Sequence, residues 1–341
     1  MEREESQARS RWQQKALAQN QPGLLVRTRG YAGPPIWCFR GLDADRRAMG
    51  AWEQLFSLRD WMPLRTLLVA LPNPDLSHAL VNGALHYGLR AVAVSALDLV
   101  EVIDDIPAAY LITSPLAALR LFLRGRLSGV RELWLTGDVT GQGALQQRLG
   151  EYLPDLVVRD VYEVAEHPGP LAMSCNLGRW HWLNPGMPVS FKPLTETLFS
   201  VEMTWNGERY ALGDAVSDVR SDCPCGQAGP VTRPAWGRVN EIGTLDHGFL
   251  SASHLAQAWF RTEGLADRLR AALIFDPVEK RDQLQVEAAV LEGYDVERTF
   301  SRFRELLERE LGIEVDVKVR EARRLLPSLT VELVDSRGEP G

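Results

Sequence analysis

Three cysteines and one histidine stand at spacings that suit a metal ion. Cys175 and His181 are separated by five residues, and Cys223 and Cys225 follow later in the chain with one residue between them. Three thiolates and one imidazole make a closed tetrahedral set of the kind that structural zinc takes, with no position left open for water. The spacing therefore predicts a structural zinc site. The alternative is a set of unrelated buried thiols with a histidine packed in the core.

A glycine-rich stretch offers a second kind of chemistry near the start of the chain. Residues 24–28 have the composition of a short strand, and the sequence RGYAGPP follows at residues 29–35. Glycine lets backbone N–H groups approach phosphate oxygens closely, so a loop of this kind after a strand can bind phosphate. A tight turn without a ligand is the alternative, because glycine and proline also mark turns.

The composition argues against several classes of protein. A chain of 341 residues with a net charge of −7 and no long basic run favours two domains and argues against nucleic acid as a partner. The longest apolar run, residues 106–119, is short and interrupted by prolines, and the polar segment at the start is not a signal peptide. Four cysteines are too few for a disulfide framework in a chain of this length. We therefore expect a cytoplasmic protein without a membrane partner.

Apolar strand-like runs alternate with helical patterns along the first part of the chain. Strands are predicted over residues 66–71, 91–95, 109–113, 132–136 and 156–162, with helices over 43–61, 76–87, 97–103, 114–127 and 142–152. Such alternation is typical of an α/β sheet covered on both faces. After a polar break at residues 237–241, strands are predicted over 271–275, 284–291, 313–319 and 329–334, with an amphipathic helix over 296–311. We therefore predict a large α/β domain (residues 1–236) and a small C-terminal α+β domain (residues 237–341).

Several short motifs, taken in order, resemble those of a known enzyme family. DVYEVAE at residues 160–166, RYALGD at 209–214, CPCG at 223–226 and GRVNE at 237–241 follow one another as corresponding motifs do in adenylate-forming enzymes. The resemblance is most specific to the phenylacetate-coenzyme A ligase-like branch of these acyl-CoA synthetases. It implies the adenylate-forming fold, with a C-terminal domain that swings between two half-reactions. It also implies ATP with Mg²⁺ and a small-molecule carboxylate as substrates, with coenzyme A as acceptor.

The resemblance assigns a role to individual residues. Tyr162 would pack on the adenine of the nucleotide, and Glu166 would act in catalysis by helping to hold the metal-bound phosphates. Asp214 would accept hydrogen bonds from both ribose hydroxyls, for which two carboxylate oxygens are well suited. Arg238 matches the family's arginine that follows a glycine at the hinge before the C-terminal domain. The alternatives are a strand end with a solvated glutamate and a turn aspartate.

The family also bears on the metal ligands and on the glycine-rich stretch. Related ligases carry a similar Cys/His pair before a Cys-x-Cys-Gly motif, which supports the predicted zinc ligands. Thr28, Gly30 and Gly33 keep the frame of the family's phosphate loop, but Pro34 stands in place of its lysine. The chain is also shorter than the family before this loop.

The C-terminal motif departs further from the family pattern. The family ends in a motif with an active-site lysine, and the last lysine of this chain is Lys318. Two hypotheses follow. The chain is a divergent ligase that forms an acyl-adenylate from an aryl or other carboxylate and transfers the acyl group to coenzyme A or another thiol. Alternatively, it is a non-catalytic binding or scaffold relative that has lost adenylation. The expected protein partners are a second copy in a homodimer or a catalytic paralogue.

Overall fold

Buried apolar runs and amphipathic helices alternate along the first half of the chain and build a parallel sheet. The computed structural model describes residues 14, 17–20, 22–27, 37–72, 77–164, 167, 169–183, 189–205, 208–245, 248–313, 315–322, 331 and 333–337. The first elements are β1 (Gly23–Arg27), β2 (Trp37–Gly41), α1 (Leu42–Ser57), β3 (Thr66–Leu71), α2 (Ser77–Tyr87), β4 (Arg90–Ser95), α3 (Leu99–Val102), β5 (Tyr110–Thr113), α4 (Pro115–Leu123), β6 (Glu132–Leu135), α5 (Ala144–Tyr152) and β7 (Val157–Glu163). Strands β3 to β7 lie parallel in the order β4-β3-β5-β6-β7. This confirms the predicted α/β class.

Local sequence signals explain why the helices begin where they do. The Oγ of Ser114 accepts a hydrogen bond from the backbone N–H of Ala117 at 3.4 Å, and Pro115 occupies the first turn of α4. A serine cap followed by proline is a favoured helix start, because proline has no N–H that would need a partner. Ser114 and Pro115, which directly follow β5, therefore determine where α4 begins.

Short antiparallel strands extend this sheet and form a second one. They are β8 (Pro170–Ser174), β9 (Trp180–Trp182), β10 (Val189–Pro193), β11 (Leu198–Trp205), β12 (Glu208–Ser217), β13 (Val231–Thr232) and β14 (Gly237–Arg238). The large sheet has eight strands in the order β13-β9-β8-β7-β6-β5-β3-β4, and the second sheet has the order β10-β11-β12-β14. Most of this region was not assigned from the sequence. Gly237 and Arg238, placed after the predicted boundary, pair with β12 of the preceding domain.

The C-terminal domain has the predicted α+β composition. Its elements are a 3₁₀ turn (Val239–Glu241), β15 (Gly243–Leu245), β16 (Gly248–Leu250), α6 (Ala252–Arg261), β17 (Leu265–Asp276), β18 (Arg281–Val290), α7 (Val296–Glu305), a π-helical turn (Leu306–Glu310), β19 (Asp316–Glu321) and β20 (Leu333–Asp335). Its four-stranded sheet has the order β19-β18-β17-β20. The predicted helix over 296–311 is thus an α-helix followed by a π-helical turn, and α6 was not predicted. None of the helices in the described ranges is long and apolar enough to cross a bilayer.

Two apolar clusters cover the two faces of the large sheet. On one face, α1 and α2 bury Trp52, Phe56 and Leu80 against Trp134 of β6. On the other face, the buried side chains of α4 and α5 form one cluster with those of α6 and β17 from the C-terminal domain. The hydrophobic core therefore continues from one domain into the other.

Candidate functional site

Polar residues gather where the parallel strands end. The strands β5, β6 and β7 are parallel neighbours, so their carboxyl ends, at Thr113, Leu135 and Glu163, lie along one edge of the sheet. Thr136 and Asp138 follow β6 at this edge. Ligands of open α/β sheets bind outside the carboxyl ends of the strands. This edge is therefore where a nucleotide site is expected.

Tyr162 and Asp214 meet at this edge although they are far apart in the sequence. The hydroxyl of Tyr162, on β7, donates a hydrogen bond to Oδ2 of Asp214, on β12, at 2.6 Å. The antiparallel pairing of β12 with β14 sets Arg238 opposite Asp214, and Nη1 of Arg238 donates to the same Oδ2 at 3.2 Å. Asp214 is only 7% exposed. The structure thus brings these three predicted residues together, and two protein donors share one oxygen of the carboxylate.

The backbone around Asp214 explains its placement. Gly213 has a φ of +79°, in the left-handed region that side chains other than glycine rarely adopt. Nη1 of Arg238 also donates to the carbonyl oxygen of Leu212 at 2.8 Å. The guanidinium therefore holds both the turn and the carboxylate, which accounts for an arginine at this position beside the hinge.

Aromatic side chains that the sequence analysis did not assign enclose Tyr162. The ring of Trp180 stacks on Tyr162 with 4.9 Å between centroids, and Trp182 meets it edge-on at 5.5 Å. Tyr162 is 8% exposed, so its ring is largely covered by the protein. The sequence Trp180-His181-Trp182 was a usable signal, because alternation on a strand places both indoles on the face opposite the histidine.

A half-buried acid, Glu163, lies next to Tyr162 on the opposite face of β7. Thr136 Oγ1 donates to Oε1 of Glu163 at 3.4 Å. Burial raises the pKa of Glu163 to about 7, although the nearby charge of Arg40 and the hydrogen bond from Thr136 oppose the rise. Arg40, on β2, donates to the backbone carbonyl of His167 at 2.9 Å. An arginine from the first hairpin thus reaches the same edge, and the sequence analysis assigned it no role.

The four predicted metal ligands come together in one cluster. Their ligand atoms all lie within 4.8 Å of one another. Sγ of Cys175 is 3.9 Å from Sγ of Cys223, and Sγ of Cys225 is 3.2 Å from Nε2 of His181. Zn–S bonds of about 2.3 Å and Zn–N bonds of about 2.0 Å in a tetrahedron give ligand separations of roughly 3.5–3.8 Å. The donor set and its spacing therefore fit a tetrahedral metal ion.

Two turns and a strand pair position these ligands. Cys175 follows β8, and His181 lies on β9, which pairs with β13 through His181 and Val231. Cys223 begins a tight turn in which its carbonyl accepts from the N–H of Gly226 at 3.0 Å. The cluster therefore ties the large sheet to the loop that leads towards the hinge.

An ion-pair network braces the same loop. Asp218 accepts from Arg179 Nη1 at 2.6 Å and from Nε of Arg220. Burial alone would raise the pKa of Asp218, but the hydrogen bonds and charges of the two arginines outweigh it and lower the pKa. Because Arg179 precedes β9, the network fixes the loop against the strand that carries His181.

The charge states of two ligands are compatible with metal binding. Burial, aided by the charge of Arg59, lowers the pKa of His181, which favours the neutral imidazole. A hydrogen bond from the backbone of Gln227 lowers the pKa of the Cys225 thiol, which favours the thiolate. Burial instead raises the pKa of Cys223. Metal ligands need the neutral imidazole and the thiolate, so binding would release a proton from Cys223.

Four predicted residues lie outside the described part of the chain. They are Thr28, Gly30 and Gly33 of the glycine-rich stretch and Glu166. The described residues end at Arg27 of β1 and resume at Trp37 of β2, and these two strands pair antiparallel. The phosphate-binding roles of the four residues therefore stay predictions.

The C-terminal domain also contacts the nucleotide edge. The backbone N–H of Val331 donates to Oδ2 of Asp138 at 2.7 Å, and Oδ1 of the same carboxylate accepts from the N–H of Val139 at 2.8 Å. Val331 is buried. Val331 therefore lies beside the strand end where the resemblance expects the nucleotide.

No protein-family model and no curated protein matches the sequence. Solved structures do match in fold. 2-Hydroxyisobutyryl-CoA ligase in the postadenylation state gives a TM-score of 0.73 at 15% identity, covering 92% of this chain and 73% of that chain. Coronafacic acid ligase from Pectobacterium brasiliense gives 0.57 at 12% identity, covering 85% and 61%. The amide bond synthetase McbA from Marinactinospora thermotolerans gives 0.60 at 16% identity, covering 87% and 65%. The predicted adenylate-forming fold is therefore confirmed.

The TM-score depends on the reaction state in which the matched ligase was solved. The same 2-hydroxyisobutyryl-CoA ligase in the thioesterification state, with 2-HIB-AMP and CoA, gives a TM-score of only 0.54 over 92% of this chain. The covered share is the same as for the postadenylation state. This chain therefore superposes better on the postadenylation structure than on the thioesterification structure.

Proposed function

We propose that the chain binds ATP at the carboxyl edge of its large sheet and activates a carboxylate as an acyl-adenylate. The observation that carries the proposal is the group formed by Tyr162, Asp214 and Arg238. Three residues from separate strands converge at the edge where ligands of α/β sheets bind. Their types suit a nucleoside, since an aromatic ring can stack on adenine and a carboxylate can accept from two ribose hydroxyls.

Each residue has a role in this proposal. The carboxylate of Asp214 accepts from the ribose hydroxyls, and Arg238 holds that carboxylate in place through its contacts to Asp214 and Leu212. Tyr162 supplies the ring beside the base. Glu166 would hold the Mg²⁺ that accompanies ATP, and Thr28, Gly30 and Gly33 would contact the phosphates. The substrate class follows the sequence resemblance, so we infer an aryl acid such as phenylacetate, with coenzyme A or another nucleophile as the eventual acceptor.

Calorimetric titration with ATP·Mg²⁺ tests nucleotide binding without requiring knowledge of the acid. We expect the wild-type chain to bind, the Asp214→Ala variant to lose binding and an Asp316→Ala variant to keep it. Asp316 is a suitable control because its carboxylate pairs with Lys318 in the C-terminal sheet. A panel of carboxylates including phenylacetate should then give pyrophosphate release. Binding that survives Asp214→Ala would contradict the assigned ribose contact.

We further propose that Cys175, His181, Cys223 and Cys225 hold a structural zinc ion. The proposal stands on their convergence within 4.8 Å and on the closed set of three sulfurs and one nitrogen. Zinc would supply no chemistry to the reaction and would secure the loop before the hinge. Metal analysis of protein purified without chelators should find zinc in a one-to-one ratio to the chain, and its absence would contradict the assignment.

A second candidate function, a non-catalytic binding subunit, is favoured by two observations. Oδ2 of Asp214 already accepts from both Tyr162 and Arg238, and Lys318, the last lysine of the chain, pairs with Asp316 on β19. Removing one preorganised charge-stabilising group costs about 10²–10³ in rate. Under this alternative, millimolar ATP gives no binding heat. The chain would instead form a stable complex with a second copy or with a catalytic paralogue, detectable by co-purification.

A further inference from the structure

A buried ion pair joins the two domains. Nε of Arg120, on α4 of the large domain, donates to Oδ2 of Asp267, on β17 of the C-terminal domain. The two side chains are only 6% and 12% exposed. A buried pair of this kind adds little net stability, but removing one partner leaves an uncompensated buried charge, which is strongly destabilising. It therefore fixes the position in which β17 docks on α4.

Helix α5 makes a second polar contact with the C-terminal domain. Nη1 of Arg148 donates to the carbonyl oxygen of Phe260 at 3.0 Å. The hydroxyl of Tyr152 donates to Oε1 of Glu263 at 2.5 Å. Phe260 and Glu263 lie at the end of α6 and in the turn after it. The terminal carbonyls of α6 are thus satisfied by an arginine from the other domain.

Apolar side chains fill the space between these polar contacts. Leu145 and Leu149 of α5 belong to the same buried cluster as Leu255 and Trp259 of α6, and all four are at most 1% exposed. Burial of this completeness is typical of the inside of one domain, whereas domains that move against each other usually meet through smaller and more polar surfaces. The interface supplies free energy because undocking would return these side chains to water.

The third contact lies at the nucleotide edge. The N–H of Val331 donates to Oδ2 of Asp138, so the C-terminal segment is held beside the strand end after β6. The agreement with the postadenylation state, at 0.73, exceeds that with the thioesterification state, at 0.54. All of these contacts belong to one arrangement of the domains, and a rotation of the C-terminal domain against the large domain would break them together.

We propose that the C-terminal domain is fixed in this arrangement and that the chain carries out only the adenylate-forming step. This inference rests on the proposed function. In that step a carboxylate oxygen bonds to the α-phosphorus of ATP, and the bond from that phosphorus to the bridging oxygen breaks, so that pyrophosphate leaves with the electron pair. A separate acyltransfer reaction must consume the product. There, a nucleophile bonds to the acyl carbon, the bond from that carbon to the phosphate oxygen breaks, AMP leaves, and the proton of the nucleophile passes to solvent.

A single-turnover assay with ATP, phenylacetate and coenzyme A tests whether the chain carries out only the adenylate-forming step. We expect pyrophosphate to form, the acyl-adenylate to stay bound, and coenzyme A to leave the rate of AMP release unchanged. Formation of phenylacetyl-CoA by the wild-type chain would overturn the inference. A complete lack of pyrophosphate with every carboxylate tested would instead overturn the proposed function. The inference that the chain carries out only the adenylate-forming step would then fail as well.

Scanning calorimetry tests the docking independently of activity. A fixed C-terminal domain should unfold together with the large domain in one transition, and Arg120→Ala should lower its midpoint more than Arg302→Ala, which removes an exposed pair with Glu305. Two separate transitions in the wild-type chain would overturn the docking. If Arg120→Ala fails to fold, Arg120→Lys keeps the charge and should lower the midpoint by less. A folded Arg120→Ala variant with the wild-type midpoint would argue that the ion pair does not fix the domains.

Discussion

The hydrogen bond from Tyr162 to Asp214 opposes nucleotide binding in the proposed site. In the free chain, Oδ2 of Asp214 accepts from the Tyr162 hydroxyl at 2.6 Å and from Arg238 at 3.2 Å. A ribose that bonds to both carboxylate oxygens has to displace at least one of these donors. The tyrosine hydroxyl is the one that gives way, because Arg238 is also held by the carbonyl of Leu212. The Tyr162→Phe variant should therefore be less stable and bind ATP more tightly.

The same bond sets the size of both effects. A hydrogen bond to a charged group contributes about 1.5–3 kcal/mol to stability. Phenylalanine keeps the ring that stacks on Trp180 at 4.9 Å, so little packing is lost. The free energy of unfolding should fall by about 1.5–3 kcal/mol. The dissociation constant for ATP should fall by about 10- to 100-fold, since each 1.4 kcal/mol changes it tenfold.

Urea denaturation and calorimetric titration with ATP·Mg²⁺ measure the two effects on the same variants. Tyr110→Phe is a matched control, since Tyr110 is another buried tyrosine and its hydroxyl accepts from the N–H of Met62 at 2.7 Å, at the other end of the sheet. That variant should lose stability without changing the affinity for ATP. Unchanged or weaker ATP binding by folded Tyr162→Phe would refute the argument, because it would mean that the tyrosine hydroxyl does not compete with the ribose.

Two further predictions concern the metal cluster and Glu163. Cys223→Ser should lower the zinc content measured by elemental analysis to near zero and lower the midpoint of thermal unfolding. Cys38→Ser should keep the zinc, because Cys38 is not part of the cluster. Zinc retained by Cys223→Ser would contradict the site. The folded-state pKa of Glu163, about 7, lies above its ordinary value of 4.5. The protonated side chain therefore stabilises the fold at low pH, and this stabilisation is lost as the pH rises towards and through 7. The unfolding free energy of wild type minus that of Glu163→Gln should therefore fall between pH 5 and pH 8, and a difference that rises or stays flat would exclude a raised pKa. Burial also raises the pKa of Asp160 to about 7, but both proteins share that group, so its effect cancels in the difference.

Strands and helices of the large domain were predictable because their patterns are local. The run at residues 66–71 is apolar throughout, and each of its residues is buried in β3. Among the strands from β8 to β14, β13 and β14 were the hardest to predict, since they have two residues each and pair with strands distant in the sequence. Helix α6 was also missed, and its buried side chains pack both against α5 of the large domain and against α7 of its own domain.

The candidate site divides in a similar way. Residue types and spacing were enough to nominate the four metal ligands and the group around Asp214, because a cysteine pair and a Gly-Asp turn are readable in sequence. Arg40 and Asp138 were assigned no role from the sequence. Each acts through a partner that only the fold brings near, as when Asp138 accepts from the N–H of Val331.

The sequence by itself determined the chemical inventory of this protein and the class of its fold. It determined which residues can ligate a metal, which lysines are missing, and that strands and helices alternate, because those properties belong to side chains and to local periodicity. The tertiary structure alone decided which of these side chains contact one another. It set Tyr162 and Arg238 on one oxygen of Asp214, and it joined Arg120 to Asp267 across two domains. Contacts between distant residues depend on the packing of whole elements, which no local pattern specifies.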